Sequence, residues 1–155
     1  MGVLVWAHLV FALVALPMSL IDLREHRLPD RYTLSLWAIT AALVISSLAD
    51  PDDGTRAESA VAASALVVVV LWILAEWPGR PLGFGDVKLG GVMGMQLGAY
   101  GIDAAFLALA SSVILGGVWA VWVVKSGRMG PRDHLAFGPF MVAGTLIQLL
   151  LVASG

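Results

Sequence analysis

Long runs without a charged residue alternate with short polar segments along this 155-residue chain. Asp, Glu, Lys and Arg are absent from 1–21, 32–49, 59–75, 104–124 and 135–155. Each run is close to the ~20 residues that a helix needs to cross the hydrocarbon core of a bilayer. A shorter apolar stretch, 87–102, is interrupted only by Lys88. The pattern therefore predicts six transmembrane helices, at about 2–21, 32–49, 59–77, 87–100, 102–124 and 136–153.

The fourth of these helices differs from the others in length and in its glycines. Its fourteen residues, 87–100, reach about 21 Å, which is short of a full span, so the helix tilts little, starts deep or is re-entrant. Gly90, Gly94 and Gly98 recur every four residues and place a smooth stripe on one face. Because such stripes let another helix approach closely, we expect this helix to be buried within the bundle.

Composition supports a membrane protein. The chain is 59% hydrophobic and 13% charged, and its mean hydropathy is +0.90. A soluble domain of this length has too little interior to hide that much apolar surface. With short loops and no internal repeat, the expected fold is a single all-α transmembrane domain over 1–155. The net charge of −2 indicates no nucleic-acid partner, and the absence of cysteine excludes disulfides, thiolate zinc sites and a cysteine nucleophile.

The basic residues fall on one side of this six-helix arrangement. Loops 22–31, 78–88 and 125–135 hold eight of the nine, and Arg56 alone lies on the other side. The positive-inside rule then places these three loops in the cytoplasm and both termini outside. The eight residues are Arg24, Arg27, Arg31, Arg80, Lys88, Lys125, Arg128 and Arg132.

Two aspartates are predicted to lie at the same cytoplasmic boundary. Asp22 closes helix 1 and Asp86 opens helix 4. Two carboxylates in a partly dry site share a proton, so that one activates a water molecule and the other acts as an acid toward a carbonyl. This chemistry hydrolyses a peptide bond without a metal or another cofactor. Gly83 and Gly85 lack a Cβ, so the backbone before Asp86 can approach a neighbour closely or adopt a positive φ, and an extended substrate can pair with it.

Each of these residues also fits a purely structural role. Asp22 would simply end helix 1 in a charged loop, and Asp86 would be the N-cap of helix 4. The glycine stripe is more typical of packing than of chemistry. His26 and His134 lack the neighbouring ligands that a metal site requires, so no metal site is expected.

Three segments together resemble the type IV prepilin peptidase family, the bacterial membrane aspartic proteases with a GxGD motif. They are "IDLREHRLPDRYTL", "GFGDVKLGG" and "AFGPFMVAG". Their order, spacing and predicted topology agree with the family over nearly the whole chain, and the three together are specific where a lone GxGD is weak.

The resemblance implies an activity, a location and a set of residues. The family removes the short basic leader of type IV prepilins and pseudopilins, just after a glycine, at the cytoplasmic face of the inner membrane. Asp22 and Asp86 become the catalytic pair. The other matching motif residues, which include candidates for substrate binding, are Gly83, Gly85, Lys88, Phe137, Gly138 and Pro139.

One departure from the longer family members bears on a second activity. Those members carry an N-terminal cytoplasmic segment with paired cysteines, and they also methylate the new N-terminus. This sequence opens directly on helix 1 and has no cysteine, so it is similar to the minimal members and methyl transfer is not expected.

Two alternative functions remain open. One is a catalytically inactive scaffold of a pilus or secretion assembly. The other is a proton-coupled carrier that uses the two aspartates as a relay; their position at one face and the lack of an inverted repeat count against it. Cleavage of a prepilin distinguishes all three.

Overall fold

The structure, a computed structural model, describes residues 2–25, 30–46, 54–78, 82–128 and 136–154. Across these ranges the chain forms six α-helices and no β-strand, which confirms the prediction of an all-helical fold. Every predicted helix has one counterpart. The helices are α1 (Gly2–Glu25), α2 (Asp30–Ser46), α3 (Gly54–Glu76), α4 (Phe84–Gly98), α5 (Ile102–Lys125) and α6 (Gly138–Ser154).

The ends of the helices differ from those predicted by hydropathy. Helix α1 continues to Glu25 instead of ending near residue 21, and α4 begins at Phe84 instead of residue 87. The prediction marked where charges begin, whereas a helical backbone continues through charged residues as long as its hydrogen bonds are made. Asp22 therefore lies one turn inside α1. Asp86 is the third residue of α4, whose N-cap is Gly83, so the interpretation of Asp86 as an N-cap was wrong.

The outer surface of the bundle is apolar. Two helical segments are long and apolar enough to cross a membrane, Arg56–Glu76 in α3 and Ile102–Lys125 in α5; His8–Asp22, Thr33–Val44 and Gly138–Ala153 are apolar but shorter. Large side chains such as Leu13 and Leu150 are more than 70% exposed. Such a surface suits hydrocarbon better than water. All six tryptophans are also exposed, as expected for side chains facing lipid or its interface: Trp6, Trp37, Trp72, Trp77, Trp119 and Trp122.

Helix α4 lies at the centre of the fold. From residue 87 to residue 99 every side chain except that of Lys88 is buried. The helix packs most extensively against α3 and also contacts α2, α5 and α6. The helix has 15 residues and is therefore about 22 Å long. The expectation of a short, buried fourth helix is confirmed.

The glycine stripe is the surface on which α4 meets α3. A Cβ added at Gly94 would lie 2.7 Å from the Cα of Ser64, and one added at Gly98 would lie 2.7 Å from the Cα of Ala60. Both distances are too short for a real Cβ contact with backbone atoms. The two helix backbones therefore approach closely because these side chains are missing, which fixes α4, and Asp86 with it, against α3.

Candidate active site

Asp22 projects from the last part of α1 into the bundle. Its side chain is 5% exposed, although it is charged and lies within three residues of the end of its helix. Met18 and Ser19, one turn earlier, are buried as well. Since carboxylates are rarely buried this fully without a specific role or partner, Asp22 is not a solvated residue at a helix end.

Asp86 is held by the turn that begins α4. Its Oδ2 atom accepts a hydrogen bond from the N–H of Gly83 at 3.3 Å, and the carbonyl of Gly83 accepts from the N–H of Asp86 at 3.1 Å. The carboxyl group thus reaches back over the first turn, as acidic residues at this helix position commonly do. Asp86 is 9% exposed. The turn fixes the orientation of the carboxyl group and keeps it at the start of the helix.

The motif glycines leave the surface beside Asp86 open without adopting an unusual backbone. Gly83 has φ −82°, and among the described residues only Gly101 and Gly127 have a positive φ. Of the two uses that the sequence allowed for these glycines, a close approach or a positive φ, the positive φ does not occur. Gly83 is exposed, and Phe84 beside it is 51% exposed. Because the motif glycines have no side chains, Asp86 stays accessible from this surface.

Asp22 and Asp86 influence one another although they come from different helices. Burial raises the pKa of Asp86 to about 6; the nearby Asp22 carboxylate contributes to the increase, and the Gly83 N–H opposes it. A carboxyl group with such a pKa holds a proton much more readily than one in water. The structure thus brings together the two aspartates that the sequence singled out.

Lys88 lies away from this pair. Residues two apart on a helix point in very different directions, so Lys88 and Asp86 occupy different faces of α4. Lys88 is half-buried and lines an apolar cavity of about 100 Å³ between α2, α3 and α4, together with Leu34, Trp37, Val68, Val87 and Gly91.

The third motif begins α6. Gly138 and Pro139 are its first two residues, where a proline is well tolerated because its missing N–H has no partner within the helix. The carbonyl of Phe137 accepts from the N–H groups of Phe140 and Met141, at 3.0 and 3.2 Å. The Phe137 ring packs on the core, close to Gly116 of α5. These contacts give the motif a part in starting α6 and docking it on α5.

No group of three or more His, Cys, Asp or Glu side chains that could hold a metal occurs in the part of the chain that the structure describes. The two histidines considered above as ligands, His26 and His134, lie outside it.

The sequence analysis did not identify one polar cluster, which lies at the ends of α1 and α4 that are remote from the two aspartates. There the His8 side chain contacts the side chains of Gln96 and Tyr100. Two signals were available: His8 interrupts an otherwise apolar stretch, and Gln96 is the one strongly polar side chain in 89–98. Neither signal indicates the partner, because the contacts span 88 and 92 positions of sequence.

A family profile and several curated proteins match this chain. The sequence profile of the type IV leader peptidase family matches residues 9–121, which include both aspartates and the glycine motif but not Phe137, Gly138 or Pro139. A "Prepilin leader peptidase/N-methyltransferase" of Burkholderia pseudomallei (strain 1026b) is 33% identical over 133 residues, covering 83% of this chain and 41% of the relative. One of Bacillus subtilis (strain 168) is 28% identical over 141 residues, covering 91% and 54%.

The chain spans about half the length of the curated relatives it matches. No solved structure shows significant similarity to it. The match to the family profile nevertheless covers most of the chain, including both buried aspartates. This membrane protein therefore belongs to the type IV leader peptidase family.

Proposed function

We propose that this protein is an aspartic endopeptidase that removes the short basic leader of type IV prepilins or pseudopilins at the cytoplasmic face of the inner membrane. The observation that carries the proposal is the pair formed by Asp22 and Asp86. Both carboxyl groups are buried, they come from separate helices, and Asp22 lies near enough to contribute to the raised pKa of Asp86. Membership of a peptidase family gives the pair a reaction to perform.

The pair hydrolyses the peptide bond while holding one shared proton. The ionised carboxylate removes a proton from a water molecule, and the water oxygen attacks the carbonyl carbon of the scissile bond. The protonated partner donates its proton to the carbonyl oxygen as the tetrahedral intermediate forms. The carboxyl group that took the proton from water then gives it to the leaving nitrogen, and the C–N bond breaks. A hydroxyl group of the intermediate returns its proton to the other carboxylate, which restores the shared proton. Neither a covalent intermediate nor a metal ion is part of this sequence.

The surroundings favour different resting forms of the two carboxyl groups. Asp86 lies in the first turn of α4 and accepts the Gly83 N–H, and both features favour its ionised form. Asp22 lies near the C-terminal end of α1, where a neutral acid is favoured over an anion. These helix-end effects are outweighed at Asp86, because burial and the ionised Asp22 raise its pKa to about 6. We therefore assign the resting proton to Asp86 and the role of base to Asp22. Because the two share a proton, they titrate as a pair and exchange roles during turnover.

The proposed topology places this pair at the cytoplasmic boundary. Six spans with both termini outside put the end of α1 and the start of α4 on the same side, together with eight of the nine basic residues. A basic leader is held there by anionic lipid headgroups while the apolar part of the prepilin stays in the hydrocarbon. The scissile bond reaches Asp86 across the exposed surface of Gly83 and Phe84.

Cleavage of a synthetic prepilin by the purified chain in lipid vesicles tests the proposal. We expect two products, the leader and the mature segment, and no change in rate with a metal chelator. A scaffold would bind the prepilin without cutting it. A proton-coupled carrier would acidify the vesicle interior in response to a gradient of its transported solute, and it would leave the prepilin intact. Either result would reject the endopeptidase.

A further inference from the structure

A hydrogen-bonded triplet joins α1 to α4 at the ends remote from the two aspartates. His8 Nδ1 lies 2.7 Å from Gln96 Oε1, and His8 Nε2 lies 2.6 Å from the hydroxyl oxygen of Tyr100. The His8 and Tyr100 rings are also in contact, with centroids 5.5 Å apart and a 34° angle between their planes. The His8 imidazole of α1 therefore bonds two side chains, Gln96 in α4 and Tyr100 in the turn that follows α4.

The chemistry of the triplet specifies one arrangement of its hydrogens. The carbonyl oxygen of Gln96 can only accept, so Nδ1 of His8 donates to it. In the neutral ring Nε2 is then the acceptor, and it receives the hydrogen of the Tyr100 hydroxyl. Gln96 is fully buried, so the bond from His8 satisfies its carbonyl oxygen inside the core. The ring orientation of His8 is thus determined from both sides.

Direct contact between α1 and α4 is sparse, and both helices pack against α2 and α6. The triplet therefore adds a direct link between two helices whose spacing is otherwise set through these shared neighbours. His8 precedes Asp22 by about 21 Å along α1, and Gln96 follows Asp86 by about 15 Å along α4, at ~1.5 Å per residue.

We propose that the His8–Gln96–Tyr100 triplet is a positioning element that sets the approach of α1 to α4 and so the separation of the Asp22 and Asp86 carboxyl groups. The proposal rests on the proposed function, in which the two groups must share a proton. The triplet touches neither substrate nor the reacting atoms, and it acts through the two helices. A small displacement of catalytic groups is enough to lower a rate by about 10- to 100-fold.

Pulsed electron paramagnetic resonance measures this separation without requiring activity. The chain has no cysteine, so nitroxide labels attach only to the two cysteines introduced by Leu20→Cys on α1 and Phe84→Cys on α4. The side chains replaced are 61% and 51% exposed, which makes both sites accessible to the label. In vesicles we expect one narrow distance distribution for this labelled parent. His8→Phe and Tyr100→Phe, which keep a ring but remove hydrogen bonds, should broaden it. If His8→Phe does not fold, the test is carried by Tyr100→Phe, which removes only one hydroxyl group.

Kinetics of the same variants without labels give the second readout. We expect kcat for prepilin cleavage to fall about 10- to 100-fold, with KM nearly unchanged, because substrate contacts are intact. His8→Gln retains one donor and one acceptor and should recover most of kcat. Ser59→Ala is the matched control: it removes the 2.6 Å bond from Ser59 to the carbonyl of Gly98, which links α4 to α3 at the same end. This control should change neither the distances nor kcat.

Three outcomes separate this proposal from the proposed function. An unchanged distance distribution in both His8→Phe and Tyr100→Phe would overturn the positioning role, whatever happens to kcat. Equal broadening in Ser59→Ala would also overturn it, since any interhelical bond would then serve. Broadening confined to the triplet variants would support it, even in a protein that proves unable to cleave prepilin.

Discussion

The Oδ2 atom of Asp86 accepts a hydrogen bond from the N–H of Gly83, three residues earlier in the chain and 3.3 Å away. Gly83 is the N-cap of α4, so its N–H precedes the helix and Asp86 occupies the third helical position. A side chain at that position reaches back to the N-cap in many helices. The Gly-x-Gly-Asp spacing therefore orients the carboxyl group through the start of the helix, and the bare Gly83 keeps its surroundings accessible.

The first prediction concerns the two aspartates. Asp22→Asn and Asp86→Asn should each lower prepilin cleavage by about 10³-fold or more, because an amide cannot exchange the shared proton. The double variant should be little worse than either single variant, since the two residues act as one unit. Initial rates of leader release, measured in vesicles with an equal amount of folded protein, give all three values.

Glu76→Gln is the control for this comparison. Glu76 is exposed at the end of α3 and carries the same type of charge, so its substitution should leave the rate unchanged. Wild-type cleavage by either aspartate variant would reject the aspartic mechanism.

The second prediction uses the pKa of Asp86. Because this pKa is raised from 3.8 to about 6, the folded protein binds the proton more tightly than the unfolded chain. The resulting stabilisation is complete below pH 3.8 and is lost as the pH rises through about 6. Thermal unfolding of the wild type should therefore shift to lower temperature, relative to Asp86→Asn, between about pH 4 and pH 7.

Asp22→Asn tests the cause of that shift. It removes the negative neighbour that contributes to the raised pKa of Asp86. The pH range over which stability is lost should move to lower values, although burial still keeps it above that of a free aspartate. An Asp22→Asn protein with the same pH dependence as the wild type would mean that the two carboxyl groups do not interact.

Hydropathy was enough to predict the six helices, because charge-free runs of sufficient length have few alternatives to helix in a bilayer. It also predicted that Asp22 and Asp86 share one end of the bundle, since helices α1 and α4 run in opposite directions. The helix ends were less accurate: α1 extends past Asp22 to Glu25 because helical hydrogen bonding does not stop at the first charge.

The features that the sequence did not predict depend on contacts between distant residues. His8 and Gln96 are 88 positions apart, and no local period indicates that they meet. The sequence also left the backbone conformation of Gly83 open, because a glycine before a helix serves equally well as an ordinary extended N-cap that exposes the surface beside it. Motif spacing located the site, whereas the packing of α4 determines its shape.

The third prediction tests the packing of α4 on α3. Gly94→Ala should destabilise the protein by about 1–3 kcal/mol, because the new Cβ would lie 2.7 Å from the backbone of Ser64 and the helices must separate. Gly117→Ala in α5 is the matched control, since a Cβ there meets no atom within 4 Å. It should be neutral or slightly stabilising through helix propensity. Thermal unfolding in detergent compares the two; equal effects would exclude close packing at Gly94.

The fourth prediction concerns topology. Single cysteines are placed at three exposed positions, Glu58→Cys, Pro78→Cys and Arg128→Cys. An impermeant thiol reagent added to intact cells should label the first, because we expect it outside, and should label the other two only after the membrane is opened. Labelling of Pro78→Cys in intact cells would place the start of α4, and Asp86 with it, on the wrong face for a cytoplasmic protease.

The last prediction separates two activities that the names of the relatives combine. This 155-residue chain, purified by itself, should cleave a prepilin and leave the new N-terminus unmethylated. It spans only about half of each relative and contains no cysteine. Mass spectrometry of the mature product, with S-adenosylmethionine present, decides the matter. Intact cleavage with no added mass is expected, and the full-length B. subtilis relative provides a comparison. A product heavier by one methyl group, formed by this chain and absent without S-adenosylmethionine, would show that the matched half of the protein carries both activities.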